Sequence, residues 1–248
     1  MSRLIKLYLR LYRAGGLKQV LALRDARRAG VQRICLTIHG QRVWVRVDAP
    51  DVRVAIKNLG DEFKPLADLV QLSNCRLVID AGGFIGTAAL ALAGLFPQAR
   101  IISIEPSPEN FSLLEENTRH HPRIERIQAA LVPSRSPGVA RLRDRGTGEW
   151  GLSITPGTTH DMSIEVQTVS ISEILEAHGN AGPVLCKMDI EGGEYALLQE
   201  AETWLDRCDV LAIELHERIV AGTEDLFFRT NARRSVHKMS ADKFLSIR

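Results

Sequence analysis

Short apolar runs alternate with helical segments from residue 76 onward, and this alternation restricts the possible folds more than any other feature of the chain. The apolar runs are RLVIDAG, RIISIEP, RIERIQAAL, VLCKMDI and VLAIEL. Two of the helical segments begin with recognisable caps: Ser107 precedes Pro108, and Ser170 and Glu173 form a capping box. Strands that alternate with helices form a parallel sheet covered on both faces, so we predict an α/β fold.

The first 74 residues have a different pattern. They predict an extension, residues 1–74, packed on a main domain of residues 75–248. The opening stretch predicts an amphipathic helix that ends near Gly15 and Gly16. A β-hairpin follows, because apolar and polar residues alternate on both sides of the turn His39-Gly40.

Two further elements complete the predicted order. A helix is expected around residues 62–72, before the main domain begins. The last stretch, SVHKMSADKFLSIR, is compatible with closing antiparallel strands.

Composition excludes several classes of protein. The 248 residues are 45% hydrophobic with a net charge of +2, so the overall charge does not indicate a nucleic-acid partner. Four cysteines lie far apart without metal-ligand spacing, which predicts reduced thiols in a cytoplasmic protein. No apolar stretch approaches the ~20 residues that cross a bilayer, and the N-terminus does not read as a secretory signal. The oligomeric state is left open by these patterns.

The positive charge is concentrated at the N-terminus, where residues 1–30 carry eight Lys or Arg against one acid. One face of the predicted helix is basic: Arg3, Lys6, Arg10 and Arg13. Two interpretations remain. The helix packs on the domain with its basic face in water, or residues 1–14 make a peripheral contact with an anionic membrane surface. We favour the packed helix.

The first strand of the main domain ends in a glycine-rich turn, DAGGFIG, with Asp80 directly before it. Glycines let a backbone turn tightly and approach a ligand. The dinucleotide fingerprint GxGxxG does not fit, because Phe84 and Thr87 stand where glycines are needed. An acid at this position would repel a phosphate, so it suits a cofactor with a cationic amino-acid end.

Glu105 ends the second strand, 25 residues after Asp80. A carboxylate at this place in a βαβ unit accepts hydrogen bonds from ribose hydroxyls. The two acids together predict a cofactor that carries both a ribose and a cationic group.

The pieces VIDAGGFIG, IISIEPSPENFSLLEEN, VQTVSISEIL and KMDIEGGEYALLQEA, in this order, resemble the FkbM-type S-adenosylmethionine-dependent methyltransferases. The resemblance covers about residues 76–216. It implies a Rossmann-like class I methyltransferase fold with a mostly parallel seven-stranded sheet, and S-adenosyl-L-methionine as cofactor. One departure is Gly83-Phe84, where the family more often has Ala-Asn. The implied cofactor-binding residues are Asp80, Gly82, Gly83, Gly86, Glu105, Pro106, Asp189 and Glu191.

The resemblance also implies the reaction. The expected acceptor is a hydroxyl on a small molecule, such as a sugar, a glycolipid or a polyketide-like compound. A non-catalytic nucleoside-binding module is the alternative from another functional class. A nicotinamide-dependent oxidoreductase is disfavoured by the glycine spacing.

Three acids crowd the segment KMDIEGGEY. If the strands ending near Asp189 and His216 are neighbours, both side chains lie at the carboxyl edge of the sheet. We therefore predict His216 as the base that removes the acceptor proton, oriented by Asp189 or Glu214. Glu191 is a cofactor ligand or a cap, and Glu194 is more typical of a helix start, although the resemblance favours a role for it.

The same acids also suit a second interpretation, a magnesium site built from Asp189, Glu191 and Glu214. The resemblance argues for metal independence, so we expect no metal. Residues 133–161 form an extended excursion whose Arg141, Arg143, Arg145 and Trp150 either contact the acceptor or belong to a solvated loop; we favour the loop.

Overall fold

A computed structural model describes residues 3–69, 74–134, 138–144, 152–153, 163–178 and 182–248. Its N-terminal part contains helix α1 (Arg3–Arg28), strands β1 (Arg33–Ile38) and β2 (Gln41–Arg46), and helices α2 (Asp51–Leu59) and α3 (Lys64–Leu69). The predicted hairpin is confirmed, with β1 and β2 antiparallel. Helix α2 was not predicted, and the expected helix around residues 62–72 corresponds to α3 in its described part.

Helix α1 differs from the prediction. Gly16 has φ 79° and ψ 177°, which interrupts the helix where its end was expected, but a second helical stretch continues to Arg28. Leu11 and Leu23, one on each side of the kink, are buried against the hairpin and α2. None of the helices in the described part of the chain is both long and apolar enough to cross a membrane.

The surface of α1 bears on the predicted membrane contact of residues 1–14, which stays a prediction. Leu7 and Tyr8 pack on the protein, as expected for a helix docked on the domain. Other apolar side chains of the same helix, Leu9 and Tyr12 among them, are exposed. Arg10 and Arg13 line a cavity described below.

The main domain is built on a seven-stranded sheet. Its strands are β3 (Leu77–Ala81), β4 (Arg100–Ile104), β5 (Ile124–Ile127), β10 (Val184–Met188), β11 (Val210–Glu214), β12 (Ser235–Lys238) and β13 (Lys243–Ile247), in the spatial order β12-β13-β11-β10-β3-β4-β5. Strands β11, β10, β3, β4 and β5 are parallel, and β13 is antiparallel to β11 and β12. The predicted seven-stranded class I fold, with its closing antiparallel strands, is confirmed.

The order of the strands explains where ligands can bind. The chain leaves β3 toward β4 and β5, and returns on the other side of β3 with β10 and β11. This reversal creates a crevice beyond the carboxyl ends of β3 and β10, which is where open α/β sheets bind ligands. Residues of the glycine turn and of the segment after β10 meet at this point.

Two hydrophobic cores cover the two faces of the sheet. Helices α4 (Thr87–Leu95) and α5 (Pro108–Thr118) follow β3 and β4, and α6 (Ile171–His178), α7 (Glu194–Gln199) and α8 (Thr223–Thr230) come later in the chain. Two 3-10 turns, Ala201–Thr203 and Leu205–Arg207, lie between α7 and β11. Leu77 and Ile79 of β3 face the core that contains α6, α7 and α8, whereas Val78 faces the core that contains α4. Alternation along the strand divides the apolar side chains between the two faces.

A small second sheet corrects one prediction. The run RIERIQAAL was predicted as one strand, but only its first half, β5, joins the large sheet. Its last residues form β6 (Ala130–Leu131), which pairs with β9 (Ser163–Val169); β7 (Val139–Asp144) and β8 (Leu152–Ser153) complete this sheet. The break between β5 and β6 begins at the polar residue Gln128.

Candidate active site

One cavity of about 950 Å³ lies at the carboxyl edge of the large sheet. It is lined by the ends of β3, β4, β10 and β11, and on its outer side by residues of α1 and α2. Its size lies within the range of ligand sites in proteins, 300–1,000 Å³. Most of the predicted site residues lie on its walls: Gly82, Gly83, Glu105, Pro106, Asp189 and Glu191.

The glycines of the turn after β3 are required by close packing. Gly82 has φ 80°, and a Cβ there would overlap the backbone carbonyl oxygen of Asp189. A Cβ on Gly83 would overlap Ser103 and Leu114. Gly86 lies apart from the cavity, at the start of α4, where it packs against α5. Gly82 and Gly83 therefore hold the backbone of the turn against the cavity, whereas Gly86 allows helix packing.

The departure from the family at Gly83-Phe84 has a structural counterpart. Phe84 has φ 50°, a left-handed conformation that Asn adopts more readily than Phe. Its ring lies 5.4 Å from the guanidinium carbon of Arg46, which is paired with the buried Asp51. Phe84 also lines the cavity. The cation–π contact and packing therefore hold a bulky residue where the backbone does not favour one.

Asp80 is placed differently from the expectation. Its carboxylate is fully buried, accepts a hydrogen bond from Ser103 Oγ at 2.7 Å, and pairs with Lys187 Nζ at 3.1 Å. Lys187 also donates to the carbonyl oxygens of Ala81 and Gly82. Asp80 and Lys187 therefore brace the glycine turn from inside, and Asp80 does not face the cavity. This corrects the idea that Asp80 meets a cationic ligand directly.

Lys187 was missed by the sequence analysis as a site residue. The signal was present, because a lysine stands in the otherwise apolar run VLCKM. Burial would lower the pKa of Lys187, but the charges of Asp80 and Asp189 raise it. A buried lysine that stays charged between two carboxylates helps to organise the charges of the site, unlike a lysine at the surface.

Glu105 lies at the end of β4 with its side chain in the cavity wall. Its Oε2 accepts the Phe84 N–H at 2.8 Å, and its Oε1 accepts the Ser107 N–H at 2.9 Å and Asn110 Nδ2 at 3.2 Å. Burial raises the pKa of Glu105 to about 7, despite these donors. A carboxylate has about four acceptor positions, so Oε2 retains one for a ligand hydroxyl.

The segment after β10 is organised by Glu194. This side chain is fully buried at the start of α7, where it accepts the N–H groups of Ile190 and Gly192 at 2.9 and 2.8 Å. It also binds His216 Nδ1 at 2.9 Å. The sequence indicated Glu194 as a helix start for which the resemblance favours a role, and in the structure it joins the end of β10 to the segment after β11.

His216 is buried behind the cavity wall. Its Nε2 lies 3.6 Å from Glu191 Oε2 and 3.8 Å from one oxygen each of Asp189 and Glu214. Burial would lower the pKa of His216, but the hydrogen bond and charge of Glu194 and the charges of Asp189 and Glu191 raise it to about 9. His216 does not line the cavity, so it would reach an acceptor only through the carboxylates in front of it. Its role as general base stays a prediction, and His216 and Asp189 do meet as expected.

Three carboxylates lie between His216 and the cavity: Asp189, Glu191 and Glu214. Burial would raise the pKa of Asp189, but Lys187, Lys243 and His216 lower it. Burial raises the pKa of Glu191. Asp189 lies beside the glycine turn with its side chain one-third exposed. Asp189, rather than Asp80, therefore presents a negative charge to a cationic ligand.

The extension lines the cavity with more basic than acidic side chains. Arg10 and Arg13 of α1 and Arg53 and Lys57 of α2 line it. Lys57 pairs with Glu62 at 3.1 Å. Four basic side chains of the extension, together with the acids Asp61 and Glu62, thus line the same cavity as the carboxylates, a placement that the sequence did not predict.

Of the predicted excursion, the described part adds Leu142 to the cavity wall. Leu142 of β7 lines the cavity, whereas the neighbouring Arg141 is exposed and pairs with Glu165 at 3.3 Å. The side chain of Arg143, and residues Arg145 and Trp150, lie outside what the structure describes.

A comparison with protein families decides the classification. The family model described as the methyltransferase FkbM domain matches residues 80–234. The chain belongs to the FkbM methyltransferase family. The match begins at Asp80 and includes the glycine turn, Glu105 and the segment from Lys187 to His216. It therefore covers the cavity walls at the ends of β3, β4, β10 and β11, whereas the walls formed by α1 and α2 lie outside it.

Two curated relatives are also methyltransferases. Hexuronic acid methyltransferase AglP of Haloferax volcanii is 26% identical over 144 residues, which are 55% of this chain and 54% of AglP. Methyltransferase 1 of Beauveria bassiana is 26% identical over 171 residues, 60% of this chain and 68% of that protein. The match therefore spans about half the length of AglP. Among solved structures, magnesium protoporphyrin IX methyltransferase of Synechocystis has a TM-score of 0.44 at 12% identity, covering 80% of this chain and 82% of that one.

The cofactor is S-adenosylmethionine, and the residues of the cavity fit it. Gly82 and Gly83 leave the backbone of the turn uncovered by side chains. Glu105 Oε2 keeps an acceptor position for a ribose hydroxyl, and Asp189 supplies negative charge for the ammonium end. The volume of the cavity lies at the upper end of the range of ordinary ligand sites.

Proposed function

We propose that this protein is an O-methyltransferase that acts on a hydroxyl of an anionic, sugar-like small molecule. The observation that carries the proposal is that one cavity is lined by the glycine turn and Glu105, by Asp189, and by basic residues of α1 and α2. A cofactor held by the glycine turn and Glu105 leaves the basic residues of α1 and α2 for the acceptor.

When bound, S-adenosylmethionine supplies a methyl group on a positively charged sulfur. The methyl group would pass to the acceptor oxygen as its bond to sulfur breaks, and a residue of the chain would have to take up the hydroxyl proton. The carboxylates of Asp189, Glu191 and Glu214 line this region, so one of them accepts the hydrogen bond from the acceptor hydroxyl and then its proton. Alignment of the two reactants is the main contribution of the chain to such a displacement.

The basic residues indicate the charge of the acceptor. Arg10, Arg13 and Arg53 line the side of the cavity formed by the extension, where a carboxylate or another anionic group would be favoured. The relative AglP is named for a hexuronic acid, a sugar that carries both hydroxyls and a carboxylate. This agreement supports a uronic acid as the acceptor class.

The test combines a donor labelled with ¹³C in its methyl group with pairs of acceptors, each a uronic acid and its neutral sugar counterpart. We expect an O–¹³CH₃ signal from the uronic acids. The double variant Arg10→Gln/Arg13→Gln should raise KM for the acceptor by several-fold to about tenfold with kcat little changed, because each exposed charge contact contributes up to about 1 kcal/mol. Arg3→Gln/Arg28→Gln is the matched control, since it removes two exposed arginines of the same helix that do not line the cavity.

Three results would contradict parts of the proposal. Equal transfer to the neutral sugars would refute the anionic acceptor. Label on nitrogen would refute O-methylation. Binding of S-adenosylhomocysteine without transfer to any acceptor, in the panel or in cell extract, would favour the non-catalytic nucleoside-binding module.

A further inference from the structure

The Nε2 atom of His216 has an unusual environment. The side chain is 1% exposed, and Nε2 has no hydrogen-bond partner among the described residues. A buried polar atom without a partner is rare in native proteins, and it calls for a physical explanation. This one points into a cluster of three carboxylates, Asp189, Glu191 and Glu214.

The distances in this cluster match ligands around a shared cation better than hydrogen bonds. The nearest carboxylate oxygens lie 3.6–3.8 Å from Nε2, beyond hydrogen-bond range. Ligand atoms of Asp189, Glu214 and His216 lie within 4.8 Å of one another. Ligands that each sit about 2.0–2.2 Å from one metal ion are separated by roughly 3–4.4 Å, so a small contraction of the cluster would complete the site.

The other ring nitrogen is already fixed in the manner of a metal-ligating histidine. Nδ1 binds Glu194 Oε1 at 2.9 Å, and Glu194 is itself held by two backbone N–H groups. A carboxylate behind the imidazole is the usual outer partner of a histidine that ligates a metal, because it orients the ring. The two carboxylate oxygens of Glu214 also have different partners. Its Oε2 pairs with Lys243 at 2.7 Å, while its Oε1 faces His216 Nε2.

We propose that His216 Nε2, Asp189 and Glu214, with Glu191 as a further ligand, bind a divalent first-row transition-metal cation. One imidazole nitrogen with carboxylate oxygens suits Mn²⁺, Fe²⁺ or Zn²⁺ better than Mg²⁺, which prefers oxygen ligands alone. This departs from the expected metal independence, and it adds His216 to the acids of the magnesium interpretation.

The site would serve the proposed methyl transfer, and this role rests on that proposed function. Asp189, Glu191 and Glu214 line the cavity, whereas His216 lies behind them. The open coordination positions of a bound cation therefore face the acceptor. A hydroxyl bound there would be oriented and made more acidic, as metal-bound water is.

The test uses Mn²⁺ as the probe and needs no turnover. The full chain is treated with chelator, dialysed and titrated with MnCl₂, and free Mn²⁺ is measured by its electron paramagnetic resonance signal. We expect one bound ion per chain. Asp189→Asn and Glu214→Gln should each weaken binding by about tenfold or more. Glu62→Gln is the matched control, because Glu62 also lines the cavity and pairs with Lys243 but lies outside the cluster, so it should bind Mn²⁺ like the unmodified chain.

His216→Gln completes the series, and circular dichroism establishes whether this variant folds. If it does not fold, Asp189→Asn and Glu214→Gln keep the test valid, because they leave the His216–Glu194 pair intact. Absence of Mn²⁺ and Zn²⁺ binding, or equal binding by Asp189→Asn and Glu62→Gln, would overturn the proposal. Binding of S-adenosylhomocysteine and methyl transfer are measured separately. Methyl transfer that continues after chelation, with no metal bound, would refute the cation and leave the proposed function standing. Metal binding without methyl transfer would refute the proposed function and leave the metal site standing.

Discussion

Glu105 is buried and accepts hydrogen bonds from three donors, and its environment makes the stability of the chain depend on pH. Its pKa is about 7 in the folded chain against 4.5 for an ordinary glutamate. The folded state therefore binds a proton that the unfolded state has released between these two values. The stabilisation associated with this proton is fully present below about pH 4.5 and is lost as the pH rises through about 7.

Glu105→Gln should remove this pH dependence. Between pH 4.5 and pH 8, the unfolding free energy of the unmodified chain should fall by more than that of the variant. The difference between the two falls should be on the order of 3 kcal/mol. Chemical denaturation at several pH values measures the difference. Parallel curves for the two proteins would show that the carboxyl group of Glu105 titrates normally.

The site residues divide into those that the sequence could predict and those that it could not. Asp189 and Glu105 were predicted because each follows an apolar run and so lies at a strand end. The inward position of Asp80 could not be predicted, since its partners, Ser103 and Lys187, come from two other strands. The raised pKa of His216 depends likewise on acids whose distances only the fold determines.

The segment formed by strand β3, the glycine turn and helix α4 contains two glycines that differ in the space around them: one has no room for a side chain and the other does. Gly82 has a left-handed φ and abuts the carbonyl of Asp189, whereas Gly94, in α4, is exposed and has open space around its Cβ position. The first glycine is needed by the turn that forms the cavity. The second only lowers helix propensity.

Gly82→Ala should therefore destabilise the chain by roughly 1–3 kcal/mol from backbone strain, with a further cost from the overlap with Asp189, and it should weaken cofactor binding. Gly94→Ala should instead stabilise it by up to about 1 kcal/mol and leave cofactor binding unchanged. Thermal unfolding and titration with S-adenosylhomocysteine measure both effects. A Gly82→Ala variant as stable as Gly94→Ala would contradict the close packing of the turn.

Elements with long, regular patterns were predicted well, and short or divided ones were not. Strands β3, β4, β10 and β11 are apolar runs with clear ends, so the core of the sheet followed from the sequence. Helix α2 was missed because its nine residues fall between stronger signals. The continuation of α1 beyond Gly16 was missed because two consecutive glycines usually end a helix, whereas here the buried Leu23 and Ala26 hold a second helical stretch against the hairpin.

The uneven charge of the chain acquires a meaning only in the complete fold. The basic N-terminal residues could be predicted as a helix face, but not as part of a cavity wall, since α1 reaches the carboxyl edge of the sheet through packing on the hairpin and α2. The Trp44 backbone also exchanges hydrogen bonds with Asn117 of α5. The extension thus packs on the main domain and contributes to the same cavity.

Titration calorimetry of the purified chain with S-adenosylhomocysteine and, separately, with NAD tests most directly whether this cavity is a methyl-donor site. The structure predicts one S-adenosylhomocysteine per chain, no binding of NAD, and binding at least about tenfold weaker for Glu105→Ala, because charge-assisted hydrogen bonds to ribose contribute about 1.5–3 kcal/mol each. Binding of NAD in place of S-adenosylhomocysteine, or an unchanged affinity in Glu105→Ala, would contradict this assignment of the cavity.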